Sequence, residues 1–385
     1  MMKKSRAYII IACVIVVAAA AIIIIKHNQN KADKKDYVKV GIEEAFDVSE
    51  LEGKEYDNLK FPEHISINKP EAVYTGESYC PDYTMANEAG YEKIFKQVLR
   101  DAGEENTYSE KYVINSDEYY PRGAMYEEGD NYMSVGCTGF FTACIGTDKY
   151  NLEQNEIIAV YDLNSAYEDV DYELIYGKLS IKEAEKLANE NAQYYMRLLG
   201  YEVSYKASRI EVMRNTDNQI FYYVRFQCVF KGAPIIDVMR QHPSEDEREY
   251  NGAWGGECCI IGTGAKNVKN VTYNDVVLPY GEMHGEETII SVGDAAAMLN
   301  RKLSGQKKYE IQSVDLEYMM SIKSTLPGDG EDNVHRWNED AEGWFSYDLA
   351  DARPCWAFHI DLEYRKEIVG YVDCTTGEIV FVYNQ

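Results

Sequence analysis

The sequence predicts an α+β protein: an N-terminal transmembrane helix, then a mixed α+β ectodomain ending in two modules, each a helix with an antiparallel sheet. Three observations predict it. An uncharged apolar run fills residues 7–25. Two stretches, from residues 179 and 290, begin alike with an apolar residue, a serine, a β-branched residue and then a helix with alanine four positions after the serine. Each is followed by segments in which apolar side chains fall at every second position, the period of a strand.

Residues 1–6 are a short basic tail, expected to be cytoplasmic. Ala7 to Ile25 are 19 residues without charge or proline, close to the ~20 that a helix needs to cross about 30 Å of hydrocarbon. The stretch "IIAC", ending at Cys13, is similar to the lipobox of bacterial lipoproteins, yet twelve more apolar residues follow Cys13. A cleaved secretory signal has a shorter apolar core and a small-residue cleavage site. An uncleaved anchor through Ala7, Cys13 and Ile25 is therefore expected ahead of a cleaved signal or a lipoprotein. That expectation places the chain in the cell membrane as a single-pass protein with its C-terminal domain extracytoplasmic. Lysines flank the run on both sides, so the positive-inside rule does not decide orientation, and the tail is placed inside because long domains translocate largely regardless of charge.

At 385 residues with 45% hydrophobic and 12% aromatic content, the chain can build two or three cores. The formal charge is −26, and the first 31 residues carry five positive charges and no acid, leaving −31 on the rest. Such a field repels nucleic acid, so no nucleic-acid partner is expected. Tyrosine, at 33 copies, suits half-exposed sheet faces or a ligand platform. Of nine cysteines, eight lie beyond the anchor. None forms a C-x-x-C pair, and Cys258 and Cys259 would point to opposite sides of a strand.

Residues 26–60 are polar and charge-rich and read as a juxtamembrane linker. Residues 61–178 form an N-terminal α+β region, with a helix over "MANEAGYEKIFKQVLRDAG" ending at Gly103 and presenting Ala89, Ile94, Val98 and Leu99 on one face. Residues 179–288 form the first module. Ser180 is a natural N-cap, Glu183 completes a capping box, and Ile181, Ala184, Ala188, Ala192, Tyr195 and Leu199 share a face. A strand follows in which Ile220, Tyr222, Val224, Phe226, Cys228 and Phe230 alternate, and "ECCIIGTGAKNVKNVTY" reads as a hairpin.

Residues 289–385 form the second module. Ser291 caps a helix with Val292, Ala295, Leu299 and Leu303 on one face. In "PCWAFHIDLEYRKEIVGYVD" the alternating Trp356, Phe358, Ile360, Leu362 and Tyr364 are expected to be buried, and Ala357, His359, Asp361 and Glu363 to form a wet face, which plain solvation explains ahead of a partner docking there. A hairpin turn near Lys366 and Glu367 places Cys355 opposite about Glu378 and Cys374 opposite about His359. Those two cysteines are then too far apart to pair.

The motifs "ISVGDAAAML", "YEIQSVDLEYM", "CWAFHIDLEY" and "GYVDCTTGEIVFV" resemble a PepSY domain over residues 289–383. Ser291, Ala295, Trp356, Asp373, Thr376, Gly377 and Glu378 carry the match; Cys374 replaces a small alanine of the family pattern. The stretch 179–275 looks like a second, weaker copy. A tandem pair behind one membrane helix is similar in architecture to the YycH and YycI type of bacterial regulators. The resemblance implies a non-catalytic, extracytoplasmic regulatory protein acting on a sensor, protease or envelope enzyme of the membrane or envelope by protein contact. The alternatives are an exported envelope protein that binds a glycan or peptide on tyrosine-lined surfaces, and a lipoprotein of unknown role.

Catalysis lacks its usual anchors. The six histidines form no H-E-x-x-H and no close pair. Cys258 or Cys259 with His242 would make a thiol site, but an "ECCIIG" strand is a buried one. "PGDGEDNVH" does not follow EF-hand spacing. No catalytic, cofactor-binding or metal-ligating residue, and no cofactor, is expected.

Overall fold

Strands dominate the architecture. The structure is a computed structural model that describes residues 37–382 apart from 66, 80–87, 105–111, 118–119, 129–130, 136–139, 146–154, 165–166, 201–203, 237–254, 275–276, 304–306, 325–335, 339–342, 346–348 and 363–364. In chain order its main elements are β1 (Tyr74–Tyr79), α1 (Glu88–Ala102), β2 (Tyr112–Asp117), β3 (Tyr120–Glu128), β4 (Asn131–Val135), β5 (Phe141–Cys144) and β6 (Glu156–Asp162). These are followed by α2 (Ile181–Leu198), β7 (Ser204–Arg214), β8 (Ile220–Phe230), β9 (Gly256–Ile260), β10 (Val268–Tyr273) and β11 (Leu278–Gly285). The chain closes with α3 (Val292–Lys302), β12 (Ser313–Ser324), β13 (Leu349–Leu362), β14 (Arg365–Asp373) and β15 (Ile379–Val382).

Two large antiparallel sheets result. The ten-stranded sheet runs β2-β3-β4-β5-β10-β9-β8-β7-β6, with Ala233–Pro234 added to β8. The six-stranded sheet runs β11-β1-β13-β14-β15, with β12 on the other edge of β13. The expected α+β architecture is thus corrected to a mainly β one. The first sheet takes strands from both 61–178 and 179–288, and the second joins β1 and β11 to the last strands of the chain.

The expected single-pass membrane arrangement is corrected as well. Among the described residues no helix is long and apolar enough to cross a membrane. The longest, α2, has 18 residues and carries Lys182, Glu183, Glu185, Lys186, Glu190 and Arg197, and that much charge has no place in hydrocarbon. The transmembrane helix and the extracytoplasmic, membrane-bound location built on it are not carried forward. The run 7–25, with Ala7, Cys13 and Ile25, lies outside the described residues.

Local rules explain the helices. Ser180 accepts from Glu183 N at 3.2 Å and Glu183 accepts from Ser180 N at 3.1 Å, closing the capping box. Ser291 caps α3 by accepting from Asp294 N at 3.1 Å. All six positions predicted for the inner face of α2, and all four for α3, are buried. On the ten-stranded sheet, α1 sets Phe95 against Tyr126 of β3, and α2 sets Tyr195 against Phe141 of β5 at a 5.0 Å ring separation.

From Tyr37 onward the stretch read as linker is folded. Lys39–Gly41 pairs with Thr288–Ile290, and Leu59–Lys60 pairs in parallel with Tyr309–Glu310. Ala45, Phe46, Leu51 and Leu59 are buried, with Phe46 edge-on to Trp356 at 4.7 Å. A polar-rich stretch is still ordered when its apolar anchors enter a core, because each fully buried Leu or Phe contributes about 1.5–3 kcal/mol.

Candidate functional site

A cavity of about 390 Å³ opens between α1, α2 and the sheet strands β5 and β10. The helices supply Val98, Ala102 and Leu187, and the sheet supplies Ala143, Ile145, Val268 and Val271, an apolar lining. Polar groups converge on it: Asp101, Glu190, Asn191, Tyr194 and Tyr195 from the helices, Lys266 and Lys269 from the sheet side. The cavity exists because α1 and α2 lie on one face of the sheet and the small side chains at Ala102 and Ala143 leave space between them.

The electrostatics are set by burial. Tyr194 donates to the Asp101 carboxylate, which also accepts from Gln97 Nε2 at 2.9 Å. Desolvation, then the Asp101 contact, pushes the Tyr194 hydroxyl up to about 12, and burial drives Tyr195 higher still. Burial pulls the Lys269 ammonium below the ordinary lysine range, with Glu104 pulling the other way. Among the described residues Lys269 has no ion-pair partner.

The residues that carry the PepSY resemblance meet elsewhere, at the start of α3. Trp356 Nε1 donates to Ile290 O at 2.8 Å, beside the capping Ser291, and Ile290 N donates to Cys374 O at 2.7 Å. Ala295 is buried one turn on. Asp373 Oδ1 accepts from Thr375 N, Thr375 Oγ1 and Thr376 N at 2.7–3.0 Å, and Gly377 turns the chain at φ 71°. Asp373 Oδ2 and Glu378 are both engaged by Arg353. These contacts build a tight, internally satisfied corner, and Tyr37 donates to the Thr376 carbonyl from outside it.

At its described positions the strand face expected to be wet is buried. Ala357 and His359 are fully buried, while Asp361 and Glu363 have no described side-chain environment. The hairpin register also differs. Leu362 pairs with Arg365 and Cys355 with Asp373, a shift of several residues from the expected alignment. Cys355 and Cys374 are nevertheless both free thiols. The reason is the period of two: Cys355 lies with Met319 and Tyr371 on one face, and Cys374 belongs to the core on the other. Cys258 and Cys259 are likewise buried on opposite faces, and burial pushes both thiols up, which rules against a nucleophilic role. His242 lies outside the described residues, as does "PGDGEDNVH" up to His335.

Sequence reasoning missed a buried polar cluster on that same face. Asp315 and Glu317 project from β12, and His359 from β13 beside it. His359 Nε2 lies 3.0 Å from Glu317 Oε1 and 3.7 Å from Asp315 Oδ2, and Tyr371 Oη donates to Glu317 Oε2 at 3.1 Å. The signal was present as Asp-x-Glu at strand period opposite a histidine, but nothing local shows which strand pairs with which.

No known protein family matches the chain, and no curated protein does. Among solved structures it is similar to an uncharacterized protein from Eubacterium rectale ATCC 33656, at a TM-score of 0.54 and 14% identity, covering 85% of this chain and 92% of that one. At that identity the likeness concerns the fold.

Proposed function

We propose that the protein is a non-catalytic binding protein whose ligand is a small amphipathic anion, such as an aromatic or aliphatic carboxylate or phosphate monoester. The observation that carries the reading is the α1–α2–sheet cavity. Its volume of about 390 Å³ falls within the range of small-molecule sites, roughly 300–1,000 Å³, and its apolar lining with a few convergent polar groups is their usual make-up. Lys269 supplies the charge. A half-buried ammonium with no ion-pair partner among the described residues gains most from an anion that shares its desolvated position. Tyr195 and Tyr194 line the same cavity and supply aromatic surface.

Regulation by contact with another protein, which the PepSY-like resemblance suggests, has Ala357 and His359 on its candidate docking strand. Ala357 and His359 are buried, so the cavity is the better-supported binding element. The test is a thermal-shift and NMR titration of the full chain with panels of carboxylates and phosphate monoesters, repeated on Lys269→Met and the cavity-filling Ala143→Phe. Saturable binding weakened at least tenfold by both variants is expected. Binding that survives both, or none across the panels, overturns the reading.

A further inference from the structure

We propose that Asp315, Glu317 and His359 hold one divalent transition-metal ion, with Zn²⁺ the best match to the donor set. The proposal is independent of the ligand cavity, which lies on the other sheet. One imidazole nitrogen and two carboxylate oxygens, all within 4.8 Å of one another, are ligands that zinc takes. Zinc bonds of about 2.0–2.2 Å at tetrahedral angles set neighbouring donors roughly 3.3–3.6 Å apart. The observed separations from His359 Nε2 are 3.0 and 3.7 Å, so small side-chain adjustments bring all three onto one ion.

The second, independent observation is His359 itself. It is fully buried, and neither Nδ1 nor Nε2 has a hydrogen-bond partner. The 3.0 Å approach to Glu317 Oε1 therefore has the distance of an ion pair without the alignment of a hydrogen bond. A buried imidazole normally has its nitrogens satisfied, and a metal at Nε2 supplies the partner that this nitrogen is missing. The surroundings are those of a metal site too. Tyr371 Oη holds Glu317 Oε2, leaving Oε1 turned toward His359, as outer-shell partners orient carboxylate ligands. Arg353, the guanidinium on the same face, is engaged by Asp373 and Glu378.

The scaffold is rigid. Asp315 and Glu317 are two apart on β12, on one face, and the antiparallel ladder sets Ser313 opposite His359 and Glu317 opposite Cys355. The Asp315 side chain keeps 15% of its exposure, which marks the side from which the ion enters and where water completes its coordination. The rival arrangement is His359 beside the two carboxylates with no ion.

The full chain, stripped with EDTA and dialysed, is titrated with ZnCl₂, MnCl₂ and CaCl₂ by calorimetry, with metal content read by mass spectrometry. Expected are one equivalent of zinc, a rise in melting temperature on loading, and at least a tenfold loss of affinity in Asp315→Asn and His359→Gln. Co²⁺ loaded in place of zinc is expected to show ligand-field bands without thiolate charge transfer, which separates this site from the cysteines. If His359→Gln does not fold, Asp315→Asn at the site's open side decides. No zinc uptake, uptake unchanged in Asp315→Asn, or a thiolate–cobalt band overturns the proposal.

Discussion

Gly377 offers the most stringent check on how the C-terminal corner is held. Its φ is 71°, a left-handed value that costs a residue with Cβ about 1 kcal/mol. A Cβ there would also lie 2.9 Å from Tyr37 Cδ1 and Cζ, closer than carbon atoms approach. Gly377→Ala must therefore displace the Tyr37 ring and break its hydrogen bond to the Thr376 carbonyl. Backbone strain of about 1 kcal/mol plus a lost contact of about 1 kcal/mol gives a total near 2 kcal/mol. Tyr37→Ala alone loses only the contact, and in its background Gly377→Ala loses only the backbone term. The double-mutant cycle should then yield a coupling of about 1 kcal/mol, read from urea unfolding of the full chain by tryptophan fluorescence, to which Trp356, packed on Phe46, contributes. Strict additivity would refute the contact. A near-neutral Gly377→Ala would refute the left-handed turn.

Trp356→Phe leaves the Ile290 carbonyl without its 2.8 Å donor and should cost about 1–3 kcal/mol by denaturant midpoint. Ser180→Ala, which opens the capping box of α2, should cost about 1 kcal/mol, and the same measurement shows it. Cys144, half-buried, should be alkylated under native conditions before Cys228, Cys258, Cys259, Cys355 and Cys374, all buried, as mapped by peptide mass spectrometry. Burial pushes the Tyr161 hydroxyl up to about 12 and Tyr222, Tyr273 and Tyr318 further. The unfolded chain releases those protons near pH 10 and the folded chain does not, so folding stability is intact below about pH 9 and falls as pH rises through 10–12. Each fully buried tyrosine removes up to ~1.4 kcal/mol per pH unit in that window. Absorbance titration of tyrosinate should show these hydroxyls ionising together with unfolding, and independent ionisation in the folded state would contradict their burial.

The helices were legible because their signals are local. Ser180 with Glu183, and Ser291 before Ala295, declare a start, and the 3.6-residue spacing of Ile181, Ala184 and Ala188 declares the buried face. Strand existence was equally local, as in the alternation from Tyr222 to Phe230. Sheet membership was not, because pairing partners sit far apart in the chain. Nothing in "YTGESY" shows that Tyr74–Tyr79 pairs with both Leu278–Gly285 and the start of β13. The division at residue 178 follows the start of the first repeat, yet the ladder from β5 to β10 runs across it.

The polar cluster and the cavity were hidden for different reasons. Alternation separates apolar from polar positions, and it cannot separate a face turned to water from a face whose polar groups are buried against one another. His359 and Ala357 therefore read as wet while Glu317 and Tyr371 closed over the same space from neighbouring strands. The sign of that difference is a polar residue at strand period whose partner of matching chemistry stands at the same period on another strand, here Asp315 and Glu317 on β12. The cavity has no such sign, since Ala143, Lys269 and Tyr195 come from three elements and share a wall only once both helices settle on one face of the sheet. Burial of ionisable groups at both places costs stability that local sequence rules do not repay, and such departures from consistency collect where proteins bind something.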